Sequence, residues 1–385
     1  MTNTYKLLTP GPLTTTDTVK QEMMVDRCTW DDDYKAVTQK IRRQLLELAK
    51  VSEDDYTAVL MLKLAHVSED EYTVVLMQGS GTFGVESVFS SVIADQDKVL
   101  ICSNGAYGER MTQICDHAKI PYLHYAQTYD KVPDASHIAK LLAEDPSITH
   151  VAMVHSETTS GILNDIESVG RVVRQAGRTF IVDAMSSFGG VDIPVASWGI
   201  DFLISSANKC IQGVPGFSFI ICRRDKLLAS EGKARSLSLD LLDQWRGMEK
   251  DGKWRFTSPT HVVLAFSKAL DELAQEGGIA ARNHRYVQNN QMLIEKMEGM
   301  GFSTYIDKIH QGPIITTFFY PDGVSFQFQE FYAYIKENGY AIYPGKLTKM
   351  DTFRIGNIGE IYPEDIEKLT SIIANFIEKK KENVA

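Results

Sequence analysis

The chain has 385 residues, a length typical of two domains or of one large domain with an appendage. Its composition is 44% hydrophobic and 23% charged, with 27 Gly and 12 Pro, which excludes disordered, collagen-like and disulfide-scaffold classes. Forty basic against fifty acidic residues give a net charge of −10, which argues against nucleic acid or an anionic membrane as a partner bound through overall charge.

The five cysteines are scattered and odd in number, and none forms a CxxC pair. We therefore expect neither a disulfide framework nor a structural metal site. No basic-then-apolar leader stands before Leu13, and no apolar run approaches the roughly 20 residues that span a bilayer. The expectation is a soluble, cytoplasmic protein.

Two adjacent segments near the N-terminus, Leu46–Met61 and Leu62–Met77, match at 12 of 16 positions. This is a tandem duplication, and two copies of so short a period do not form a solenoid. The second copy continues directly into Gly79 and is expected to supply a strand of the sheet. The first copy is expected to form an inserted loop, helix or hairpin, or to compete for the same place in the sheet.

From Tyr72 to Cys222, short apolar runs rich in β-branched residues alternate with amphipathic stretches. The predicted strands are Thr73–Met77, Lys98–Cys102, His150–Val154, Thr179–Val182, Asp201–Ile204 and Phe217–Cys222. The predicted helices are Val85–Ile93, Ala106–Ala118, Ala135–Ala143 and Ile166–Ala176. This alternation indicates crossover units on a largely parallel sheet, and such sheets bind ligands at the carboxyl ends of their strands.

After Pro259 the pattern changes to long helices followed by isolated strands. The predicted elements are helices His261–Ala274 and Ala280–Met297, a strand at Pro313–Phe319, a helix at Phe326–Asn338, a strand at Thr352–Ile355 and a helix at Pro363–Lys379. We predict an α/β protein in which residues 16–262 form the large domain. Residues 1–15 and 263–385 are predicted to form a smaller α+β domain.

A glycine-rich turn at Gln78–Gly84 (QGSGTFG) connects the first predicted strand to a helix. Glycines let the backbone approach a phosphate, and a helix N-terminus offers free N–H groups. The turn matches the GxGxxG dinucleotide fingerprint, but the next strand ends in CSN, without the carboxylate that would hold a ribose. The remaining interpretations are a monophosphate cup with hydroxyls from Ser80 and Thr82, and a turn that binds no ligand.

Two polar residues follow buried-looking strands of the same predicted sheet. Asp183 ends the apolar run Phe180–Val182, and Lys209 lies just beyond the strand that contains Ile204. Alone, Asp183 could be a helix cap and Lys209 a solvated surface residue. Together with a phosphate cup, they are the groups that a pyridoxal phosphate enzyme requires: a lysine for the aldehyde and a carboxylate for the ring nitrogen.

Nine motifs spread over nearly the whole chain resemble the class V aminotransferases of the fold-type-I pyridoxal phosphate superfamily. They are LLTPGPL, ending at Leu13, CTWDDDY at Cys28–Tyr34, QGSGTFGVE at Gln78–Glu86, SNGAYGER at Ser103–Arg110, HSETTSG at His155–Gly161, DAMSSFGG at Asp183–Gly190, SSANKCIQGVPGFSF at Ser205–Phe219, FTSPTH at Phe256–His261 and FRIGNIG at Phe353–Gly359. The resemblance implies a large domain with a mostly parallel sheet of seven strands and a smaller C-terminal α+β domain.

The same resemblance implies roles for individual residues around pyridoxal 5'-phosphate. Lys209 would bond to the cofactor and move the proton, and Asp183 would pair with the ring nitrogen. The implied phosphate ligands are Ser80, Gly81 and Thr82, joined by Thr257 from the partner subunit of a homodimer. Burial of Lys209 beside a cationic ring is expected to favour its neutral, nucleophilic form.

Three further positions carry two interpretations each. Tyr107 is either the aromatic ring over the cofactor or a core tyrosine. Thr158 either approaches the phenolic oxygen of the cofactor or only shapes a turn. Arg354 either clamps the acidic group of the substrate, for which its planar fork is suited, or is an ordinary exposed arginine.

Within the family, the motifs most resemble enzymes that transfer the amino group of 2-aminoethylphosphonate to pyruvate in phosphonate degradation. The implied products are phosphonoacetaldehyde and L-alanine. The alternatives are another class V aminotransferase, of the alanine–glyoxylate or serine–pyruvate type, and a homologue that the duplication has impaired. A homologue with only a binding or structural role is a further alternative, against which the presence of Lys209, Asp183 and Arg354 counts.

Overall fold

The computed structural model describes residues 5–50, 71–323, 325–345, 347 and 350–382. Up to residue 183, the elements are β1 (Lys6–Leu7), α1 (Asp17–Gln21), α2 (Asp32–Lys50), β2 (Tyr72–Gln78), α3 (Gly81–Val92), β3 (Lys98–Ser103), α4 (Ala106–Ala118), β4 (Tyr122–Ala126), α5 (Ala135–Glu144), β5 (Ile148–Val154), β6 (Ser156–Glu157), β7 (Ile162–Leu163), α6 (Ile166–Gln175) and β8 (Thr179–Asp183). After it come β9 (Phe202–Ser206), β10 (Phe217–Arg223), α7 (Arg224–Leu228), α8 (Leu241–Asp251), α9 (Thr260–Glu276), α10 (Gly278–Gly299), β11 (Ile315–Phe319), α11 (Phe328–Glu337), β12 (Tyr340–Ala341), β13 (Tyr343–Pro344), β14 (Thr352–Gly356) and α12 (Pro363–Glu382).

A seven-stranded sheet forms the centre of the molecule, in the order β2-β10-β9-β8-β5-β3-β4. Only β10 runs antiparallel to its neighbours, β2 and β9, while the other pairs are parallel. The predicted α/β class and mostly parallel sheet are confirmed. Strand β4 was not predicted, because this edge strand is half exposed and its sequence, YLHYA, lacks a continuous apolar run.

Both faces of the sheet are buried, as expected for a mostly parallel sheet. Successive side chains of a strand point to opposite faces, so Val74 and Leu76 of β2 belong to one core while Val75 and Met77 belong to the other. Across the part of the chain that the structure describes, no helix is both long and apolar enough to cross a membrane.

Helix α3 begins at Gly81, four residues before the predicted start at Val85. The glycine-rich turn itself forms the first turn of this helix, and Ser80 is its N-cap residue with an extended backbone (φ −72°, ψ 173°). The helix therefore points its N-terminus at the carboxyl end of β2. This placement matters for the site described below.

A second, three-stranded sheet (β11-β14-β13) packs with α10, α11 and α12 in the C-terminal part of the chain. The N-terminal strand β1 pairs with β12, so the first residues of the chain join this C-terminal part. The proposed domain boundary at residue 262 falls within α9. The division of the chain at residues 15 and 262 stays a prediction.

The duplicated segment is only partly within the described residues. The first copy begins in α2, and the second copy ends in β2, which is the strand that it was expected to supply. Strand β2 lies at one edge of the large sheet. The loop, helix or hairpin predicted for the first copy falls, from residue 51 to residue 61, outside the described residues.

Candidate active site

A cavity at the carboxyl edge of the large sheet brings together most of the predicted site residues. Its walls come from the ends of β5, β8 and β9, from the segments that follow these strands and β2, and from α3 and α4. The predicted residues that line it are Ser80, Gly81, Thr82, Tyr107, Thr158, Asp183 and Lys209. In the described ranges, no group of three or more His, Cys, Asp or Glu side chains is arranged to hold a metal ion.

One end of this cavity is suited to an anion. Ser80, Gly81 and Thr82 lie at the N-terminus of α3, where the helix dipole is positive and the first N–H groups precede the hydrogen-bond ladder of the helix. Any larger residue at position 81 would clash, because a Cβ there would lie 2.3 Å from Sδ of Met185. The turn therefore presents bare backbone and two hydroxyls to the cavity.

Arg110 adds a positive charge to this end of the cavity. It was not among the predicted site residues. Its Nη1 donates a hydrogen bond to Oγ1 of Thr82 at 3.2 Å, and its guanidinium carbon lies 5.1 Å from the centroid of the Tyr107 ring. Arg110 follows Tyr107 by three residues on α4, so both side chains share one helix face. That spacing in the SNGAYGER motif was a signal that could have identified it.

Asp183 is the last residue of β8 and is only 6% exposed. Its Oδ1 accepts a hydrogen bond from the backbone N–H of Met185 at 2.9 Å. Burial raises the pKa of this carboxyl group from 3.8 to about 6, partly offset by that hydrogen bond, while nearby Glu157 adds to the rise and Lys209 counteracts it. The free energy cost of this buried charge would fall if a cation bound beside it.

Lys209 lies in the loop after β9, and its Nζ donates a hydrogen bond to the carbonyl oxygen of Pro10 at 2.5 Å. Gly11 lies against the lysine, since a Cβ at this position would be 2.8 Å from Nζ. The segment before Gly11 is held by the C-terminal part of the fold. The Leu8 N–H donates a hydrogen bond to the carbonyl oxygen of Ala341, and the Leu8 carbonyl oxygen accepts one from the N–H of Gly356. The N-terminal segment thus brings the C-terminal part of the fold against Lys209.

Glu157 is a buried carboxylate that was not among the predicted site residues either, although it is the one charged residue of the segment SETTSG at residues 156–161. It is 0% exposed, and its Oε2 accepts hydrogen bonds from the N–H groups of Tyr107 (3.3 Å) and Gly108 (3.2 Å). Its other oxygen accepts from Thr159. Glu157 therefore fixes the start of α4, and with it the position of Tyr107 at the cavity wall.

Two predicted site residues do not line the cavity. Arg354, on β14, is buried rather than exposed, so its interpretation as an ordinary exposed arginine is wrong. Its Nη1 donates to the carbonyl oxygen of Thr158 at 2.8 Å and its Nε to that of Pro344 at 3.0 Å, and burial lowers its pKa. Thr257 is exposed, and its carbonyl oxygen accepts a hydrogen bond from the side chain of Gln78.

A lysine, a buried carboxylate and an anion cup on one edge of a mostly parallel sheet are the features of an aminotransferase site. The family model described as "Aminotransferase class-V" matches residues 34–358. The chain belongs to the class V aminotransferase family.

Known proteins similar to this chain agree with that assignment. The chain is 55% identical to a protein of Lysinibacillus sphaericus (strain C3-41) named 2-aminoethylphosphonate–pyruvate transaminase, over 98% of this chain and 99% of that protein. It is 53% identical to a Bacillus cereus protein of the same name, over 97% and 98% of the two chains. The structure of an alanine–glyoxylate aminotransferase from Nostoc sp. has the same fold, with a TM-score of 0.86 at 23% identity over 97% of this chain and 96% of that one.

Proposed function

We propose that this chain transfers the amino group of 2-aminoethylphosphonate to pyruvate and forms phosphonoacetaldehyde and L-alanine. The observation that carries the proposal is one cavity in which Lys209 and Asp183 stand beside an anion cup. This cavity lies in a chain that is 55% identical, over nearly its full length, to a protein named for that reaction. The donor loses its amino group and one hydrogen and gains an oxygen, which makes it an aldehyde. Pyruvate loses its keto oxygen and gains the amino group and a hydrogen.

The residues of the cavity fit pyridoxal 5'-phosphate as the cofactor. The start of α3, with Ser80 and Thr82, and the nearby Arg110 would hold its phosphate group, because backbone N–H groups, hydroxyls and a guanidinium all donate hydrogen bonds to anions. Gly81 lines the cavity without a side chain, so its backbone can approach such a group closely. The buried carboxylate of Asp183 would accept the ring N–H.

When bound, the cofactor supplies an aldehyde carbon that exchanges amino groups and a ring that stabilises negative charge at the donor carbon. Lys209 would hold the aldehyde group, and its neutral Nζ would move the proton that leaves the donor carbon. The Asp183 carboxylate keeps a proton on the ring nitrogen. Tyr107, positioned by Glu157, would contact the ring, and Thr158 would approach the phenolic oxygen.

Arg354 is proposed to bind the acidic group of each substrate. It is attached to the cavity wall through the carbonyl oxygen of Thr158 and is sheltered from water, so its charge is weakly screened. A guanidinium fork can bind two oxygens of a phosphonate or of a carboxylate at once. One arginine can therefore serve both the donor and pyruvate.

Replacing Arg354 with glutamine is expected to lower kcat/KM for both 2-aminoethylphosphonate and pyruvate by about 100-fold or more, since two charge-assisted hydrogen bonds are lost. Arg354→Lys keeps the charge but not the fork and is expected to lose less. Because Arg354 does not line the cofactor cavity, both variants should bind pyridoxal phosphate as the unmutated protein does. Unchanged steady-state kinetics for Arg354→Gln would contradict this role.

A homodimer with shared sites is part of the proposal. Large apolar side chains are exposed in the first turn of α3 and in the segments that precede α2 and α9: Met24, Trp30, Phe83 and Phe256. Exposed apolar surface of this kind is found at protein interfaces. The partner subunit's Thr257 is proposed to complete the phosphate site, which agrees with the exposure of Thr257.

A comparison of amino donors and keto acids tests the proposed reaction. We expect 2-aminoethylphosphonate with pyruvate to give the highest kcat/KM, with alanine and phosphonoacetaldehyde formed in equal amounts. L-Serine and L-alanine as donors, with glyoxylate as acceptor, represent the other class V activities. Turnover of those pairs without any reaction of 2-aminoethylphosphonate would overturn the proposed substrate.

A further inference from the structure

The guanidinium group of Arg354 is a buried cation that forms no ion pair with the carboxylates of the described residues. Arg354 is 2% exposed. Its Nη1 and Nε donate hydrogen bonds to the backbone carbonyl oxygens of Thr158 and Pro344, and within the described part of the chain none of its hydrogen bonds goes to a carboxylate. Because a buried charge is usually paired, this position is suited to an anionic ligand.

Arg354 lies on the face of the three-stranded sheet that points away from the C-terminal core. Its neighbours in β14, Phe353 and Ile355, belong to that core, and successive residues of a strand point to opposite faces. Tyr343 of β13 and Thr317 of β11 stand directly opposite Arg354 in the two ladders of β14. Residues that oppose each other in this way share a face of the sheet, with Cβ atoms about 5 Å apart, so both are near enough to act on the arginine.

Of these two neighbours, Tyr343 is the one that contacts the guanidinium. The guanidinium carbon of Arg354 lies 5.7 Å from the centroid of the Tyr343 ring, within the range of a cation–π interaction. The next residue, Pro344, accepts the hydrogen bond from Nε at 3.0 Å. The Thr317 hydroxyl, by contrast, makes no hydrogen bond with any described residue. The segment of residues 343–344 therefore fixes both the face and the Nε edge of the guanidinium.

The contacts on Arg354 leave part of its fork for a ligand. A guanidinium has five N–H donors, of which the one on Nε and one on Nη1 are used within the described residues. An aromatic ring attracts a cation through the negative face of its π-system, so this contact uses none of the N–H groups. Tyr343 can therefore hold the guanidinium while the remaining donors bind the oxygens of an acidic substrate.

We infer that Tyr343 is a positioning residue whose ring holds the Arg354 guanidinium in the orientation that binds the acidic group of either substrate. The inference rests on the proposed function, in which Arg354 binds the phosphonate group of the donor and the carboxylate of pyruvate. In neither substrate is the acidic group the one that reacts. A guanidinium that is held less well should therefore weaken substrate binding and leave the chemical step nearly unchanged.

The test measures the steady-state kinetics of the full-length protein with its cofactor bound. Tyr343→Leu is expected to raise KM for both 2-aminoethylphosphonate and pyruvate by about threefold to tenfold, the effect of one cation–π contact, with kcat within about twofold of normal. Tyr343→Phe keeps the aromatic face and should have the KM values of the unmutated protein. Tyr332→Leu is the matched control, because the half-buried Tyr332 ring lies 5.9 Å from Nζ of Lys336 in the same C-terminal part of the fold. Its KM values should be unchanged.

A second measurement determines whether Tyr343 acts through Arg354. The guanidinium is absent from the Arg354→Gln variant, so adding Tyr343→Leu to that variant should not lower kcat/KM any further. A further loss in the double variant would overturn the inference, and so would normal KM values in Tyr343→Leu or an equal rise of KM in Tyr343→Phe. Failure of the unmutated protein to form alanine from 2-aminoethylphosphonate and pyruvate would instead show that the proposed function is wrong.

Discussion

Replacing Lys209 with alanine is expected to lower the rate of alanine formation by about 10⁴-fold or more, because this one side chain is proposed both to bond to the cofactor and to move the proton. The cavity keeps the other groups proposed to bind the cofactor in this variant, namely Asp183 and the start of α3. Pyridoxal phosphate should therefore still bind, but reversibly, and should be lost on gel filtration. Steady-state turnover and the cofactor content after filtration check both parts.

The control for this variant is Lys140→Ala, since Lys140 lies on the exposed side of α5 with its side chain 67% exposed. It should retain normal turnover and cofactor content. More than about 1% of normal turnover in Lys209→Ala, at normal purity, would show that another group moves the proton.

Replacing Asp183 with asparagine is expected to have opposite effects on activity and on stability. Turnover should fall by about 100-fold or more, since the amide cannot hold the proton on the ring nitrogen. The cofactor-free protein, however, should gain stability at pH 8. Burial raises the pKa of Asp183 to about 6 in the folded chain, so above that pH the native state contains a costly buried charge that asparagine lacks.

The sign and the size of this gain follow from the two pKa values. Asp183 binds its proton more tightly when folded than when unfolded, so its contribution to stability is full below about pH 4 and is lost as the pH rises through about 6. The rise in the Asp183 pKa from 3.8 to about 6 corresponds to a loss of roughly 3 kcal/mol in the free energy of unfolding at pH 8. Denaturant unfolding at pH 8 should show this gain for Asp183→Asn, and the gain should shrink towards pH 4.

The matched control is Asp322→Asn, at an exposed position in the turn after β11, which should leave both stability and turnover unchanged. A loss of stability in Asp183→Asn at pH 8 would contradict the account. It would mean that a cation within the protein already compensates the carboxylate.

The central sheet was predictable because its strands are buried on both faces and read as continuous apolar runs. The six predicted strands, such as Phe217–Cys222, match the observed ones to within two residues at each end. Short or half-exposed strands such as β4, β6 and β13 lack such a run, and they are defined by their neighbours rather than by their own sequence. The same holds for the pairing of β1 with β12, which joins residues more than 300 positions apart.

The candidate site was predictable where residues follow strands. Asp183 and Lys209 both come after buried strands of one sheet, so the fold class alone places them at the same edge. Arg110 and Glu157 were missed because their relation to the cavity depends on how α4 packs.

The most direct test of the account follows the amino group itself. The unmutated protein and the Lys209→Ala variant are each incubated with ¹⁵N-labelled 2-aminoethylphosphonate and pyruvate, and the alanine is analysed by mass spectrometry. We expect ¹⁵N-alanine in an amount equal to the phosphonoacetaldehyde formed, with the unmutated protein only. Label released as ammonium, or alanine that carries no label, would contradict an amino-group transfer by this chain.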